Sequence, residues 1–425
     1  MSQNPGTSEK LKPRIETRAV GLLLNKFGLA IIAVVLALSA WAGLTIIVII
    51  AGLLLAAAGL SKLWSILSLK GVHCECHLTE TRVFPRESVE LKLRIINRKV
   101  LPLPWVQVND EIPTGFISGD PSLVPGSRPG TEIVSRSASV LWYSSISWKI
   151  RLVGQKRGYY PLGPLTITSA DIFGFYPRTL IEPVTDYLIV YPEIFSLPPL
   201  VMPSLYPLGE SKVEKRIYED PSRTIGIRDY LPGDSLRRIH WKASARHQHL
   251  QVKVCEPTTT LRVAIFLASD SFQYCGAWQE ELLEYGISTA ASIGNYLVEK
   301  KSQVGLWINA RLADSGQPAK IFPGSGVDQL MRILESLAKV GLSFSQPFVD
   351  FFQEERQKLP LGTTIIFILA YLPDRLKETI LDLNHSGYKV LVYQVGDYQD
   401  SPIPEVGWYH LHKDGDKFDI ISGEN

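Results

Sequence analysis

Residues 27–61 contain no charged side chain, and this run constrains the fold more than any other feature of the sequence. As a single helix, residues 27–60 would extend about 51 Å at 1.5 Å per residue, against a bilayer hydrocarbon core about 30 Å thick. The arithmetic favours a hairpin of two short spans within residues 21–66. It would turn near Ala40-Trp41-Ala42-Gly43, with Lys26 and Lys62 snorkelling at its outer ends. Lys10, Lys12, Arg14, Arg18 and Lys26 precede the first span, Lys62 and Lys70 follow the second, and the turn is uncharged. Positive charge on both outer flanks predicts that both lie in the cytoplasm. The expected location is the cell membrane, with a cytoplasmic tail over residues 1–20 and the soluble domains on the same side. The rival reading is a secretory signal peptide cleaved at Ala40-Trp41-Ala42, which would place the soluble part outside; the second apolar run would still anchor it.

The chain has 425 residues, 45% of them hydrophobic and 20% charged, enough for two or three domains with real cores. A net charge of +2 argues against a protein-wide nucleic-acid surface, so no nucleic-acid partner is expected. Cys74, Cys76, Cys255 and Cys275 are too few and too scattered for a disulfide framework, and free thiols fit a reducing compartment. Cys74 and Cys76 would share one face of a strand, with His73 and His77 on the other. No further His or Cys follows at zinc spacing.

Between residues 71 and 197 the dominant period is two. Val89, Leu91, Leu93 and Ile95 alternate with Glu90, Lys92 and Arg94; Ile146, Trp148, Ile150 and Leu152 alternate with Ser147, Lys149 and Arg151; Leu165 and Ile167 alternate with Thr166 and Thr168. Each is a strand with one wet face, and Pro102-Leu103-Pro104, Pro125-Gly126 and Gly163-Pro164 punctuate them. Short strands at this spacing predict an antiparallel, Ig-like β-sandwich. Residues 157–164 and the string Asp171-Ile172-Phe173-Gly174-Phe175 read as strand–turn chemistry whose aromatics cover the sandwich edge, with a docking surface on the aromatic loops as the alternative.

Residues 198–256 form a basic segment. Arg223, Arg228, Arg237, Arg238, Lys242 and Arg246 stand against Asp229 and Asp234, with His240, His247 and His249 among them. Pro232-Gly233-Asp234 predicts a turn and Asp234 or Ser235 an N-cap, for a short helix through about Arg246. On that helix Arg238, Lys242 and Arg246 would form one stripe, with Arg237 and Trp241 beside it and Leu236, Ile239 and Ala243 on the apolar side. Four readings stay open: an ion-pair network of Arg228, Asp229, Asp234 and Arg246 anchored by Trp241; a partner-docking face; a phosphate or nuclease site, without any Gly-rich phosphate loop; and a histidine metal site, for which the spacing is poor.

The blocks Gly226-Ile227-Arg228-Asp229-Tyr230-Leu231-Pro232-Gly233-Asp234, Arg238-Ile239-His240-Trp241-Lys242-Ala243-Ser244-Ala245-Arg246 and Leu250-Gln251-Val252-Lys253 resemble the signature of the domain of unknown function 58 family. Arg157-Gly158-Tyr159 and Asp171-Ile172-Phe173-Gly174 are similar to that family's pre-signature region, from which Ile172 and Phe175 depart. The resemblance implies paired N-terminal helices, a von Willebrand factor A-like C-terminal domain and a MoxR-type AAA+ ATPase as partner, in complex assembly or envelope homeostasis. It points to Arg228, Asp229, Tyr230, Gly233, Asp234, Arg238, His240, Trp241, Lys242, Ser244 and Arg246 as signature and interaction residues.

After Pro257, apolar runs alternate with helical stretches: strands near 261–267, 304–308, 363–369 and 389–395, helices near 278–300, 327–340, 348–358 and 373–385. That order predicts a doubly wound parallel sheet over residues 257–425. Von Willebrand factor A domains often hold a divalent metal through Asp-x-Ser-x-Ser after the first strand. Here the sequence reads Leu267-Ala268-Ser269-Asp270-Ser271-Phe272, with too few oxygen ligands for a hard cation. The expectation is a membrane-anchored scaffold or adaptor with no catalytic residue, metal or cofactor. The alternative is a hydrolase or nucleic-acid-processing enzyme using Asp229, Asp234 and His240, which lacks a nucleophile elbow, an HExxH or a P-loop.

Overall fold

In a computed structural model of the chain, the described residues are 14–17, 26–117, 123–182, 186–196, 219–231, 239–257, 261–360, 362–396, 402–404, 406–414 and 417–422. The protein is a mixed α/β chain. It divides into two compact units, Met1–Glu193 and Ile194–Asn425.

The charge-free run forms two helices, α1 (Lys26–Trp41) and α2 (Thr45–Ser68), which pack on each other. Residues 42–44 separate them, and Gly43 supplies the left-handed backbone (φ +69°) that reverses the chain. At 24 residues, with a mean hydropathy of 2.4 over its most apolar 18-residue stretch, α2 is long and apolar enough to cross a membrane; the apolar part of α1, Phe27–Trp41, is shorter.

One face of the last two turns of α2 carries serines and docks on the rest of the unit. Ser61, Ser65 and Ser68 are buried. Ser65 Oγ donates to Tyr176 O at 2.6 Å, Arg178 Nη1 donates to Ile66 O at 2.9 Å, and Lys99 Nζ donates to Leu67 O at 2.7 Å and to Ser68 O. The closing carbonyls of a helix have no partner within it. Here two cations from distant parts of the chain take that role and meet the negative end of the helix dipole. Burial holds the Lys99 amine down at about 8.

The strands of the first unit form three sheets. One runs β1 (Arg14–Thr17), β11 (Arg178–Glu182), β10 (Leu165–Ser169), β5 (Leu103–Pro113), β7 (Thr131–Val140), β6 (Val124–Pro125). The second is β2 (Val72–Leu78), β4 (Ser88–Asn97), β8 (Ser145–Val153), and the third β3 (Arg82–Val83), β12 (Asp186–Val190), β9 (Gly158–Leu162). All pairs are antiparallel except β3 with β12. One core takes side chains from all three sheets, among them Leu91, Leu93, Val108, Leu152, Leu162, Ile167 and Leu188. The period-two runs occur where the sequence predicts, and β4 buries every second residue along most of its length. Strand β1 is new: the expected N-terminal tail contributes an edge strand, with Arg14 opposite Ile181 and Thr17 opposite Arg178. Cys74 and Cys76 lie on β2 and pack against the core, while His73 and His77 are exposed on its other face.

Two adjacent carboxylates on β5 meet opposite fates. Burial raises Glu111, but hydrogen bonds from Thr131 Oγ1 (2.6 Å), the Arg128 amide (2.9 Å) and Ser127 Oγ (2.9 Å) outweigh it, and the group stays below the ordinary carboxylate range. Asp110 points the other way, fully buried on the core face, in cross-strand register with Leu165 and Val134. Neither of its oxygens makes a hydrogen bond of ordinary geometry to a described residue. Burial pushes it up to about 7, and it helps burial and Glu182 push the neighbouring Cys74 thiol up to about 12.

In the second unit an eight-stranded sheet is ordered β17 (Pro318–Gly324), β16 (Gln303–Leu312), β15 (Arg262–Leu267), β19 (Thr364–Leu369), β20 (Val390–Val395), β21 (Gly407–Asp414), β22 (Lys417–Ser422), with β18 (Val340–Phe344) pairing β16. Strands β16, β15, β19, β20 and β21 are mutually parallel. The predicted all-parallel sheet is therefore mixed, with antiparallel β17, β18 and β22 at its edges. Helix α4 (Gln279–Glu299) packs on β15, β16, β19 and β20, and α5 (Val327–Ala338) on β16 and β17. Residues of α6 (Phe348–Arg356) and α7 (Asp374–His385) share a separate core with Phe266, Trp307, Phe367 and Val392. Burial on both faces is why the central strands read as unbroken apolar runs.

Asp110 yields a signed prediction. Its carboxyl titrates near 3.8 when unfolded and about 7 when folded, so folding takes up a proton in that window. Stability then falls as pH rises from about 4 to 7 and levels off above, by up to about 4 kcal/mol. Asp110→Asn should raise the melting temperature of the first unit at pH 8, with the gain shrinking towards pH 4, as followed by scanning calorimetry.

Candidate functional site

The basic segment is held as a small module of its own. Strand β13 (Glu219–Asp229) pairs antiparallel with β14 (Gln251–Pro257), with Gly226 opposite Val254, Arg228 opposite Val252 and Asp229 opposite Gln251. Tyr230 N donates to Leu250 O at 2.9 Å and extends the pairing by a residue. Ile239 bridges to Val252 before the chain turns into α3 (Trp241–His247).

The helix begins later than the sequence predicts. Its N-cap is His240, whose Nδ1 accepts from the Ala243 amide at 3.0 Å, and Gln248 closes it with a left-handed backbone, φ 58°. Asp234 and Ser235 are not the N-cap of α3, because Ile239 is already committed to a strand bridge and caps form where the extended chain first turns. The stripe of Arg238, Lys242 and Arg246 is also corrected: α3 carries Lys242 and Arg246, and residue 238 precedes it. Gly233, Asp234, Leu236, Arg237 and Arg238 lie outside the described residues.

The three blocks of the signature converge on one residue that the sequence reading quoted but did not single out. Gln251 is buried. Its amide donates to Ser244 Oγ at 2.8 Å, its carbonyl accepts from His240 N at 2.8 Å, and its side-chain Nε2 donates to Asp229 Oδ1. Ser244 Oγ donates in turn to His240 O at 3.1 Å. Asp229, His240 and Ser244 are thus engaged with the module's own backbone and with Gln251. The signal that could have revealed Gln251 was a polar residue opening a strand whose neighbours, Leu250 and Val252, are apolar.

What the module shows to solvent is different in kind. Arg228, Lys242 and Arg246 are exposed, as are the large apolar side chains of Ile227, Leu231, Trp241 and Leu250. Trp241 is 70% exposed. The expected packing role for Trp241 is therefore overturned: Ile239 and Ala243 fill the inner side of the module, and the indole faces out. Arg228 Nη1 donates to the Asp229 carbonyl at 3.0 Å, rather than closing an ion pair with the Asp229 carboxylate, which Gln251 engages.

The C-terminal edge of the parallel strands is the other place where such a fold gathers chemistry, at the switch point between β15 and its neighbours. Here it is closed. Ser269 N and Oγ both donate to Asn309 Oδ1, at 2.8 and 2.7 Å; Asn309 Nδ2 donates to Asp270 Oδ1 (3.1 Å) and Gln346 O (3.1 Å). Asp270 Oδ2 accepts the Phe348 amide at 2.9 Å, holding the first turn of α6, and Ser271 Oγ joins Ala268 O to the Ala370 amide. Both Asp270 oxygens and both serine hydroxyls are occupied, so these residues do not fit a hard cation, which needs several free oxygens. Among the described residues no group of three or more His, Cys, Asp and Glu is placed to hold a metal ion.

Comparison with known proteins agrees with where the signature lies. Residues 226–419 match the family model described as "Protein of unknown function DUF58". The match opens on Gly226, the first residue of the signature, and runs through the eight-stranded sheet into β22. The chain is 23% identical over 315 residues to the uncharacterized protein YeaD of Bacillus subtilis (strain 168), across 71% of this chain and 70% of that one. Among solved structures, the C-terminal domain of wzt is 11% identical with a TM-score of 0.21, over 29% of this chain and 75% of that one. The sporulation control protein Spo0M of Bacillus subtilis is 11% identical with a TM-score of 0.18, over 28% and 49%. Likenesses that slight carry no argument.

Because Gln251 joins all three blocks, Gln251→Ala should loosen the module as a whole, by about 1–3 kcal/mol for the groups left unpaired. Hydrogen exchange of the amides of residues 239–252 should accelerate together, whereas Lys242→Ala, on the exposed face, should leave their exchange unchanged.

Proposed function

We propose that this protein is a membrane-anchored scaffold or adaptor. On this reading the first unit is an Ig-like β-sandwich, the second a von Willebrand factor A-like domain, and the signature module docks a protein partner. The observation that carries it is the division of labour within the module: Asp229, His240, Ser244 and Gln251 hold it together, leaving a basic and apolar surface of Arg228, Lys242, Arg246, Ile227, Leu231, Trp241 and Leu250 exposed. An exposed Trp in a module that also exposes Arg and Lys has the composition of an interaction hot spot. Its counterpart would be apolar with an acidic rim. A MoxR-type AAA+ ATPase acting in complex assembly or envelope homeostasis is the partner that the resemblance to the domain of unknown function 58 family suggests.

The anchor on this reading is a hairpin of two spans with both ends on the cytoplasmic side. Strand β1 supports it: the chain before α1 pairs with β11 of the same unit that α2 enters, so both outer ends of the hairpin return to one place. The basic residues flanking both helices set that side as the cytoplasm. Helix α1, about 24 Å long, is shorter than the hydrocarbon core, a mismatch met by local thinning of the bilayer.

The test is affinity capture of the full chain from native membranes under nucleotide-trapping conditions. An AAA+ ATPase should co-elute with the wild-type protein and be lost with Trp241→Glu and Arg246→Glu, both of which should keep the wild-type melting profile. Repeated absence of any such ATPase from the wild-type eluate would overturn the partner, and turnover of a substrate lost on replacing His240 in a folded protein would favour the enzyme reading.

A further inference from the structure

Three loops gather at the foot of α2. Residues 98–102 follow β4, residues 141–144 join β7 to β8, and residues 170–177 join β10 to β11. Strand register puts them at one end of the first unit: Val72 pairs Asn97, Leu103 pairs Val140, and Ser169 pairs both Val106 and Arg178. Each loop is tied to the helix or to its neighbour. Lys99 holds the Leu67 and Ser68 carbonyls, Tyr143 N donates to Lys99 O (3.3 Å), Asn97 Nδ2 joins Leu101 O to Leu141 O (3.0 and 2.9 Å), and Tyr176 O accepts from Ser65 (2.6 Å).

All three loops hold apolar side chains out into solvent. Val100, Leu141, Trp142, Tyr143, Ile172 and Phe173 are each more than half exposed, and Phe173 stacks on Phe175 with ring centroids 5.4 Å apart. The one carboxylate in these loops, Asp171, is buried, accepting the Phe173 and Tyr176 amides at 3.1 and 2.8 Å. Exposed charge nearby is positive: Lys62, Lys70 and Arg98. Such a patch in open water is costly, and it needs a cover.

The length of α2 names the cover. Its 24 residues extend about 36 Å, about 6 Å more than the hydrocarbon core. The exposed apolar residues of α2 continue through Leu60, Leu63, Ile66 and Leu67 to its last turn. Past Lys62 the exposed side of the helix is apolar again at Leu63, Ile66 and Leu67, within two turns of the loops, so a bilayer crossed by α2 brings its headgroup layer to their level. We propose that the three loops form a lipid-contacting collar around the foot of α2, resting the first unit on an anionic bilayer. Trp142 and Tyr143 suit the headgroup boundary, where aromatic side chains with one polar end concentrate. Val100, Leu141, Ile172 and Phe173 enter the acyl edge, and Lys62, Lys70 and Arg98 meet lipid phosphates. The collar rests on the reading of α2 as a span and is indifferent to which side of the membrane the unit occupies.

The test uses the full-length protein in vesicles of phosphatidylcholine and phosphatidylglycerol. A fluorescent probe is placed singly through Leu54→Cys, Trp142→Cys, Phe173→Cys or Ser88→Cys, with the native cysteines replaced by alanine. Ser88 opens β4 and lies about 30 Å along the strand from the collar. If the alanine background does not fold, a keto amino acid at the same four sites carries the probe. The expected result is that brominated lipid removes most of the fluorescence at 54, 142 and 173 and none at 88, while aqueous iodide quenches only 88. Lipid quenching at 54 with iodide quenching at 142 and 173 overturns the collar and leaves the anchor standing. Probes at 142 and 173 shielded from both quenchers mean a protein covers the loops, which also overturns it. Loss of lipid quenching at 54 removes the anchor and the collar together.

Discussion

A helix cannot satisfy its own backbone carbonyls at its last turn. The rest of the first unit depends on how that problem is solved at the end of α2. Lys99, in the loop after β4, and Arg178, which opens β11, lie some thirty and more than a hundred residues further along the chain; they donate to the carbonyls of residues 66–68, and Ser65 donates back to Tyr176. The helix passes into the β-unit through only residues 69–71. Lys99 gives up part of its hydration to do this, which is why its amine sits near 8. The same contacts fix the three loops that carry the exposed aromatic residues, so the docking of the helix and the exposure of those residues share one cause.

The signature module uses the same logic on a smaller scale. Its polar residues act on its own backbone: His240 caps α3, Ser244 and Gln251 cross-link helix to strand, and Asp229 receives Gln251. Its apolar residues Ile227, Leu231, Trp241 and Leu250 are left outside. A segment that commits its hydrogen bonds to its own shape and presents hydrophobic and basic groups to solvent has the surface that the proposed partner contact needs. At the β15 edge of the second unit, Ser269, Asp270, Ser271 and Asn309 likewise close on each other and on the first turn of α6, turning a position where related sheets gather ligands into a structural clasp.

The sequence was most legible where burial imposes a period. Val89 to Ile95 could only alternate, and the runs that became β15, β19 and β20 could only be strands covered on both faces. It was least legible where an element is defined by its partner. Strand β1 has four residues and exists because β11 offers an edge. Strands β17 and β22 carry no unbroken apolar run in their sequences, so nothing local marks them as sheet. The start of α3 was misplaced because Asp234 and Ser235 are better intrinsic caps than His240, yet the Ile239–Val252 bridge keeps the chain extended until residue 240. Gln251 was present in the signature but silent, since a buried glutamine is recognisable only once Asp229, His240 and Ser244 are placed around it.

The central claim is that α2 and the β-unit it enters form one rigid piece. Pulsed electron spin resonance between labels at Leu54→Cys and Ser88→Cys in lipid nanodiscs tests it directly, with the native cysteines replaced by alanine. The account predicts one narrow distance distribution, broadened when Lys99 and Arg178 are both replaced by methionine. A broad distribution in the protein with Lys99 and Arg178 intact would mean that helix and β-unit move independently, and would contradict it.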